Sequence, residues 1–169
     1  MLSDARRQAI LEILHQSNQP VSASALASRF SVSRQVIVGD VALLRASGAD
    51  ISATPRGYMV QRLPNGLIRQ LVCRHSVSQT EAELYAMVDH GCTVMDVIVE
   101  HPIYGQLTAP LQLSNRYDVG LFLERCASHE ARPLADLTSG IHLHTLSCPD
   151  EAAFERVRAA LSKAEILVE

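Results

Sequence analysis

Ser139-Gly140-Ile141-His142-Leu143-His144-Thr145-Leu146 is the stretch on which the reading of this chain turns. Its residues alternate, Gly140 lies at its start and Cys148-Pro149 follows, so it reads as a short β-strand whose successive side chains point to opposite faces. His142 and His144 then share a face, read here as the polar one. Their roots lie roughly 7 Å apart, and two imidazoles can converge from that spacing onto one ion about 2.0–2.1 Å from each nitrogen. The same pair can instead be solvated or satisfied by hydrogen bonds. Spacing alone leaves both readings open.

Around that strand lie 169 residues, 47% of them hydrophobic, enough for one domain or two small ones with a real core. There is no run of about 18 apolar residues and no basic-then-apolar leader, so neither a membrane span nor a signal peptide is expected. Cys73, Cys92, Cys126 and Cys148 form no C-x-x-C pair and read as buried, reduced thiols. The expected compartment is the cytoplasm. The net charge of −3 is unevenly spread: residues 1–62 hold seven basic side chains against four acids, a balance of +3, and the remainder carries −6. A basic segment joined to an acidic one implies two domains with different partners, the first an anion such as DNA.

The first segment carries a specific pattern. Residues 4–16 place Ala9, Ile10, Ile13 and Leu14 at helical spacing and end before Asn18-Gln19-Pro20. Ser22 then caps a helix over 23–29, with Val21 stapling onto Leu26, and Ser33 caps another over 34–47, with Val32 paired to Ile37. In that third helix Ile37, Val41 and Leu44 form the buried stripe, leaving Arg34, Gln35 and Val38 outward where a recognition helix reads the major groove. Gly48 closes it, and residues 51–54 and 58–62 flank Pro55-Arg56-Gly57 as a hairpin. A hairpin after a helix-turn-helix is a wing. The candidate DNA-contacting residues are Ser33, Arg34, Gln35, Val38 and Arg45 on the helix and Arg56 at the wing tip, the partner being double-stranded operator DNA. A bare three-helix domain with a capping hairpin is the competing structural reading.

Residues 62–66 interrupt regular structure and read as a linker between a domain over 1–62 and another over 67–169. In the second, strands over 67–74, 93–100, 105–113 and 141–146 interleave with helices opened by Thr80 and spanning 115–127 and 149–163, the last with Pro149 in its first turn. The expected class is α+β, a winged helix-turn-helix followed by helices packed on a mixed sheet.

The residues Ser33-Arg34-Gln35-Val36-Ile37-Val38, Asp40, Ala42-Leu43-Leu44-Arg45-Ala46, Val99-Glu100-His101-Pro102, Tyr104-Gly105 and Gly140-Ile141-His142-Leu143-His144-Thr145 resemble those of the NiaR-type repressors of NAD biosynthesis. Those proteins join a biotin-repressor-like winged helix to a three-histidine (3H) domain, and the resemblance covers nearly the whole chain. One departure is Gly39, where the family pattern has a polar residue, commonly Gln. The resemblance implies a divalent metal held by His75, Glu83, His142 and His144, a donor set that suits nickel, zinc or iron. Glu83 has a competing role, because Thr80-x-x-Glu83 also spells a capping box. The resemblance further implies nicotinic acid as co-repressor, bound near the metal, with His101, Tyr104 and Arg116 as candidate contacts.

A single winged helix covers a short half-site, so a homodimer formed mainly through residues 67–169 is expected. Three function classes follow: a repressor responding to nicotinic acid, a regulator for which the metal is the signal, and a small metal-dependent enzyme fused to a DNA-binding domain. The enzyme is disfavoured, because no glycine-rich phosphate loop or activated nucleophile stands in the roughly 100 residues after the linker.

Overall fold

In a computed structural model the described residues are 3–60, 66–128 and 132–169. Residues 62–65 of the expected linker lie outside them. The chain divides into two compact units, Met1–Leu63 and Pro64–Glu169.

The N-terminal unit is built by three helices, α1 (Ser3–Gln16), α2 (Ala23–Phe30) and α3 (Arg34–Ala46), and a hairpin of β1 (Ile51–Thr54) and β2 (Gly57–Val60). Ser22 Oγ accepts the N–H of Ala25 and Ser33 Oγ that of Val36, so both expected caps form and fix where α2 and α3 begin. Ile10, Leu14, Leu26, Ile37, Val41, Leu44 and Ile51 meet in one core, with Val21 and Val32 packed on it. Side chains of this size contribute about 1.5–3 kcal/mol each when fully buried. Asp40 is buried on α3, where Arg6 Nε donates to it at 2.6 Å, so a charge inside the unit is matched by its partner from α1. Val21 bridges Tyr58 through two backbone hydrogen bonds, tying the wing to the segment before α2.

The C-terminal unit consists of β3 (Leu67–Arg74), α4 (Thr80–Val88), β4 (Thr93–His101), β5 (Gly105–Leu113), α5 (Arg116–Ser128), β6 (Ile141–Cys148) and α6 (Glu151–Lys163). Short 3-10 turns at Val77–Gln79 and Leu134–Thr138 lead into α4 and β6. The sheet order is β3-β6-β4-β5, and every pairing is antiparallel. This corrects the mixed sheet expected from alternating strands and helices. The helix α4 carries the chain from β3 to a parallel β4, but the two strands do not touch; β6 enters between them in the opposite direction.

Two helix starts also differ from expectation. Pro149 precedes α6 instead of occupying its first turn, and Asp150 is the cap, its Oδ1 accepting the N–H of Ala153 at 2.7 Å. No capping box forms at α4. The preceding 3-10 turn runs directly into the helix, Gln79 occupies the cap position without a side-chain bond, and Glu83 is released for another use. Leu84 and Met87 of α4, Val119 of α5, and Phe154, Val157 and Leu161 of α6 share one core with Leu71, Val94, Leu113 and Leu146 of the sheet.

Candidate metal centre and nucleic-acid interface

The alternation of β6 places His142, His144, Leu146 and Cys148 on its buried face and leaves Ile141 exposed. The histidine pair therefore lies on the core side of the strand, not on the polar face read from the sequence. Both side chains are nearly fully buried, at 2% and 3% exposed, and α4 lowers Glu83 onto them. Glu83 Oε1 lies 2.9 Å from His142 Nε2 and 3.5 Å from His144 Nε2, and Oε2 lies 2.8 Å from His75 Nε2. The three histidines that the resemblance implied thus all face the Glu83 carboxylate, two at Oε1 and one at Oε2.

Their outer nitrogens are all committed to the backbone. His75 Nδ1 lies 2.7 Å from the carbonyl of Ser76, His142 Nδ1 2.9 Å from that of Gly140, and His144 Nδ1 2.6 Å from that of Asp96. A carbonyl only accepts, so each Nδ1 carries the hydrogen and each neutral ring presents an Nε2 lone pair inward. Three lone pairs facing a carboxylate repel it unless a cation or added protons lie between. His75 Nε2 makes the point sharply: it is buried, and Glu83 Oε2, though close, is not aligned for a hydrogen bond with it. Backbone carbonyls orienting the far side of each ring are the supporting arrangement that metal-binding histidines use. Three imidazole nitrogens and one carboxylate oxygen fit a borderline divalent transition ion better than magnesium or calcium.

Without an ion the cluster must hold protons. Burial by itself would raise the Glu83 carboxyl, but the three imidazoles outweigh it, led by the charge of His144, and hold it well below the ordinary carboxylate range. Burial likewise opposes charge on His75 and His144, yet the adjacent Glu83 raises both above the usual histidine value. A depressed Glu83 contributes stability above an unfolded pKa of about 4.3, and that contribution is lost as pH falls through its folded value. Raised histidines contribute below about 6.5, and their contribution is lost as pH rises through their folded values. The metal-free C-terminal unit is therefore expected to melt at a higher temperature near pH 6 than on the alkaline side. A divalent ion, which competes with those protons, should reverse the order. Thermal unfolding of chelator-treated protein across that range, with and without zinc, measures this; a flat profile in both would count against the cluster.

On the N-terminal unit, Arg34 and Gln35 stand exposed at the start of α3, and neither side chain has a hydrogen-bond partner among the described residues. Three other candidates have structural work. Ser33 caps the helix, Val38 is half-buried, and Arg45 Nε donates to the carbonyl of Ile51 at 2.7 Å while its guanidinium lies 5.8 Å from the Tyr58 ring centre. Arg56 sits in the wing turn, its guanidinium donating to Gln19 Oε1 at 3.2 Å.

A 3H domain model matches residues 68–169, and a helix-turn-helix (HTH) domain model matches residues 6–59. The chain is 40% identical over 164 residues to the probable transcription repressor NiaR of Thermotoga maritima, an overlap of 97% of this chain and 94% of that one. It is 41% identical over 167 residues to the transcription repressor NadR of Bacillus subtilis, covering 96% and 93% of the two chains. The chain belongs to the NiaR/NadR family of transcription repressors.

Both relatives of this NiaR-type chain are named as transcription repressors, the first as a probable one, which is consistent with a regulator that is not an enzyme. None of the three candidate effector contacts lines the cleft beside the histidines. His101 Nδ1 accepts the N–H groups of Ile103 and Tyr104 and so shapes the β4–β5 turn, Tyr104 is exposed at its tip, and Arg116 is paired with Asp89 at 2.7 Å and stacked over Tyr85. The cleft itself, about 640 Å³, is bordered by His75 and lined by Arg74, Ser76, Asp136, Ser139 and Gly140 among others. Sequence reading also passed over Cys73. It is buried opposite His142 in the β3–β6 register, and its Sγ lies within 4.8 Å of a Glu83 carboxylate oxygen. Burial first and the Glu83 carboxylate second push that thiol far above its ordinary value. The signal was present as Cys73-Arg74-His75, a second pair two residues apart at the end of the neighbouring strand.

Proposed function

We propose that this repressor controls genes of NAD biosynthesis or niacin uptake, with nicotinic acid as co-repressor sensed by a metal-containing C-terminal unit. The observation that carries the reading is the convergence of three imidazole Nε2 atoms on Glu83 in a chain that pairs a helix-turn-helix with a 3H domain. His75, Glu83, His142 and His144 would hold one divalent ion, nickel, zinc or iron, whose positive charge favours an anionic ligand nearby. The cleft beside His75 supports a site for that ligand. Arg74 supplies a guanidinium suited to a carboxylate, and Ser76 and Ser139 supply hydroxyls. Arg74 and the ion would favour the acid over its amide, against the opposing charge of Asp136 and Glu165 on the same cleft. The protein acts as a homodimer on two half-sites, because a single α3 reaches too few base pairs for specific repression.

The test is operator binding by fluorescence anisotropy, with nicotinate titrated at fixed metal and metal at fixed nicotinate. A response to nicotinate at constant metal is expected. A response to metal alone would instead make the ion the signal, and light scattering that shows a monomer with full operator affinity would remove the dimer.

The same assay sorts the DNA-facing residues. Arg34→Ala should remove a bidentate base contact worth about 1–3 kcal/mol and relax preference at one position of each half-site. Arg56→Ala should weaken all sequences alike and reduce the salt dependence. If neither change alters binding, α3 is not the recognition helix.

A further inference from the structure

Cys73 stands among the donors and has no part in the metal site described so far. It ends an alternation on β3, fully buried, and pairs in register with His142, so both side chains rise from adjacent strands toward the same point under α4. Its Sγ, a Glu83 carboxylate oxygen and a His142 ring nitrogen all lie within 4.8 Å of one another. Bonds of about 2.0–2.3 Å from one ion set tetrahedral donors roughly 3.3–3.8 Å apart, a spacing that lies between the 2.9 Å of the His142–Glu83 contact and the 4.8 Å bound on the group. The second indication is His75 Nε2, buried and unaligned for a hydrogen bond, which faces the same carboxylate from the other side. Cys73 near the end of β3, His75 just past it, and His142-x-His144 on β6 thus surround Glu83.

We propose that Cys73 is a sulfur ligand of the ion, so that the centre is a mixed nitrogen, oxygen and sulfur site and not a histidine and carboxylate site alone. The binding step balances simply: the divalent ion forms a metal–sulfur bond, the S–H bond breaks, and the proton leaves to the buffer. No oxidant or reductant is involved. A thiolate adds a soft donor and a negative charge, which favours zinc, nickel, cobalt or iron and disfavours manganese and magnesium. It also gives β3 a hold on the ion from a buried position, while Arg74, the next residue, lines the cleft. The inference rests on the reading that this cluster binds a metal, and the experiment separates the two.

The full-length protein is loaded with one equivalent of zinc, and X-ray absorption at the zinc edge reads the bonded atoms with no variant required. A sulfur shell at about 2.3 Å beside lighter atoms at about 2.0–2.2 Å is expected. Zinc bound with nitrogen and oxygen neighbours only would overturn the role of Cys73 and leave the four-residue site standing. No zinc bound would overturn both. With cobalt(II) in place of zinc, a near-ultraviolet sulfur-to-metal charge-transfer band is expected in the native protein. It should be retained in Cys92→Ala and Cys126→Ala and lost in Cys73→Ala, with cobalt affinity at least tenfold weaker. A band that survives Cys73→Ala with unchanged affinity would also overturn the proposal.

Discussion

In a protein carrying His142→Ala and His144→Ala together, metal binding is expected to fall by more than about a hundredfold. Two of the imidazoles that face Glu83 are gone, and loss of even a supporting contact around such ligands costs about 10–100-fold. The response to nicotinate should vanish with it. An effector shifts an equilibrium only by its difference in affinity for the two states, and without the ion the difference in charge at the cleft is removed. Operator binding should then drop by about a thousandfold or more to a weak, salt-sensitive mode carried by α3 and the wing. The helix-turn-helix unit keeps its own core of Ile10, Leu26, Ile37 and Val41 and should stay folded. One cost is predictable in the other unit, because Glu83 is left buried with a single imidazole, and an uncompensated buried charge costs about 3–5 kcal/mol. Adding Glu83→Gln should restore the melting temperature but not metal binding. An intact nicotinate response in the metal-free double variant would remove the metal from the mechanism.

Gly140→Ala should damage the same centre without touching a ligand. Gly140 has φ +88, a left-handed backbone, and an added Cβ would stand 2.3 Å from the carbonyl oxygen of His75. The left-handed conformation costs about 1–2 kcal/mol for a residue with a Cβ, and the close approach is to backbone that cannot swing aside. Its own carbonyl accepts from the N–H of His75 at 3.3 Å and from His142 Nδ1 at 2.9 Å, so any shift displaces two histidines at once. A loss of about 2 kcal/mol or more in the C-terminal unit and a metal affinity at least about tenfold weaker are expected. Gly39→Ala is the matching control. That glycine is helical, nothing lies within 4 Å of an added Cβ, and alanine should stabilise the N-terminal unit by up to about 1 kcal/mol while leaving metal binding unchanged. Calorimetry for the metal and thermal unfolding for each unit read both variants; equal metal affinity in Gly140→Ala would show that the glycine merely permits a turn.

Local patterns were legible wherever one residue and its near neighbours decide the outcome. Ser22 and Ser33 cap helices because a hydroxyl three residues before an N–H is a local arrangement. The stripe of Ile37, Val41 and Leu44 is buried because helical periodicity needs no distant partner. Thr80-x-x-Glu83 misled for the converse reason. The motif is also local, but a 3-10 turn displaced the helix start and distant histidines claimed the carboxylate. Arg116, offered as an effector contact, is paired with Asp89, 27 residues away, a contact that local spacing does not reveal.

By itself the sequence determined two units of opposite charge, the capped helices and wing of the first, the strands and helices of the second, and through its motifs the family. Each depends on periodicity, caps and composition, which act over a few residues. Only the tertiary structure decided which face of β6 is buried, because alternation specifies that two faces differ and not which of them meets α4. It also decided that β6 runs between β3 and β4, which brings Cys73 opposite His142 and Leu71 opposite His144. Residues 73, 75, 83, 142 and 144 lie up to 71 residues apart along the chain. Their meeting is a property of strand order and register, set by the core that Leu84, Met87, Leu146 and Leu161 bury together.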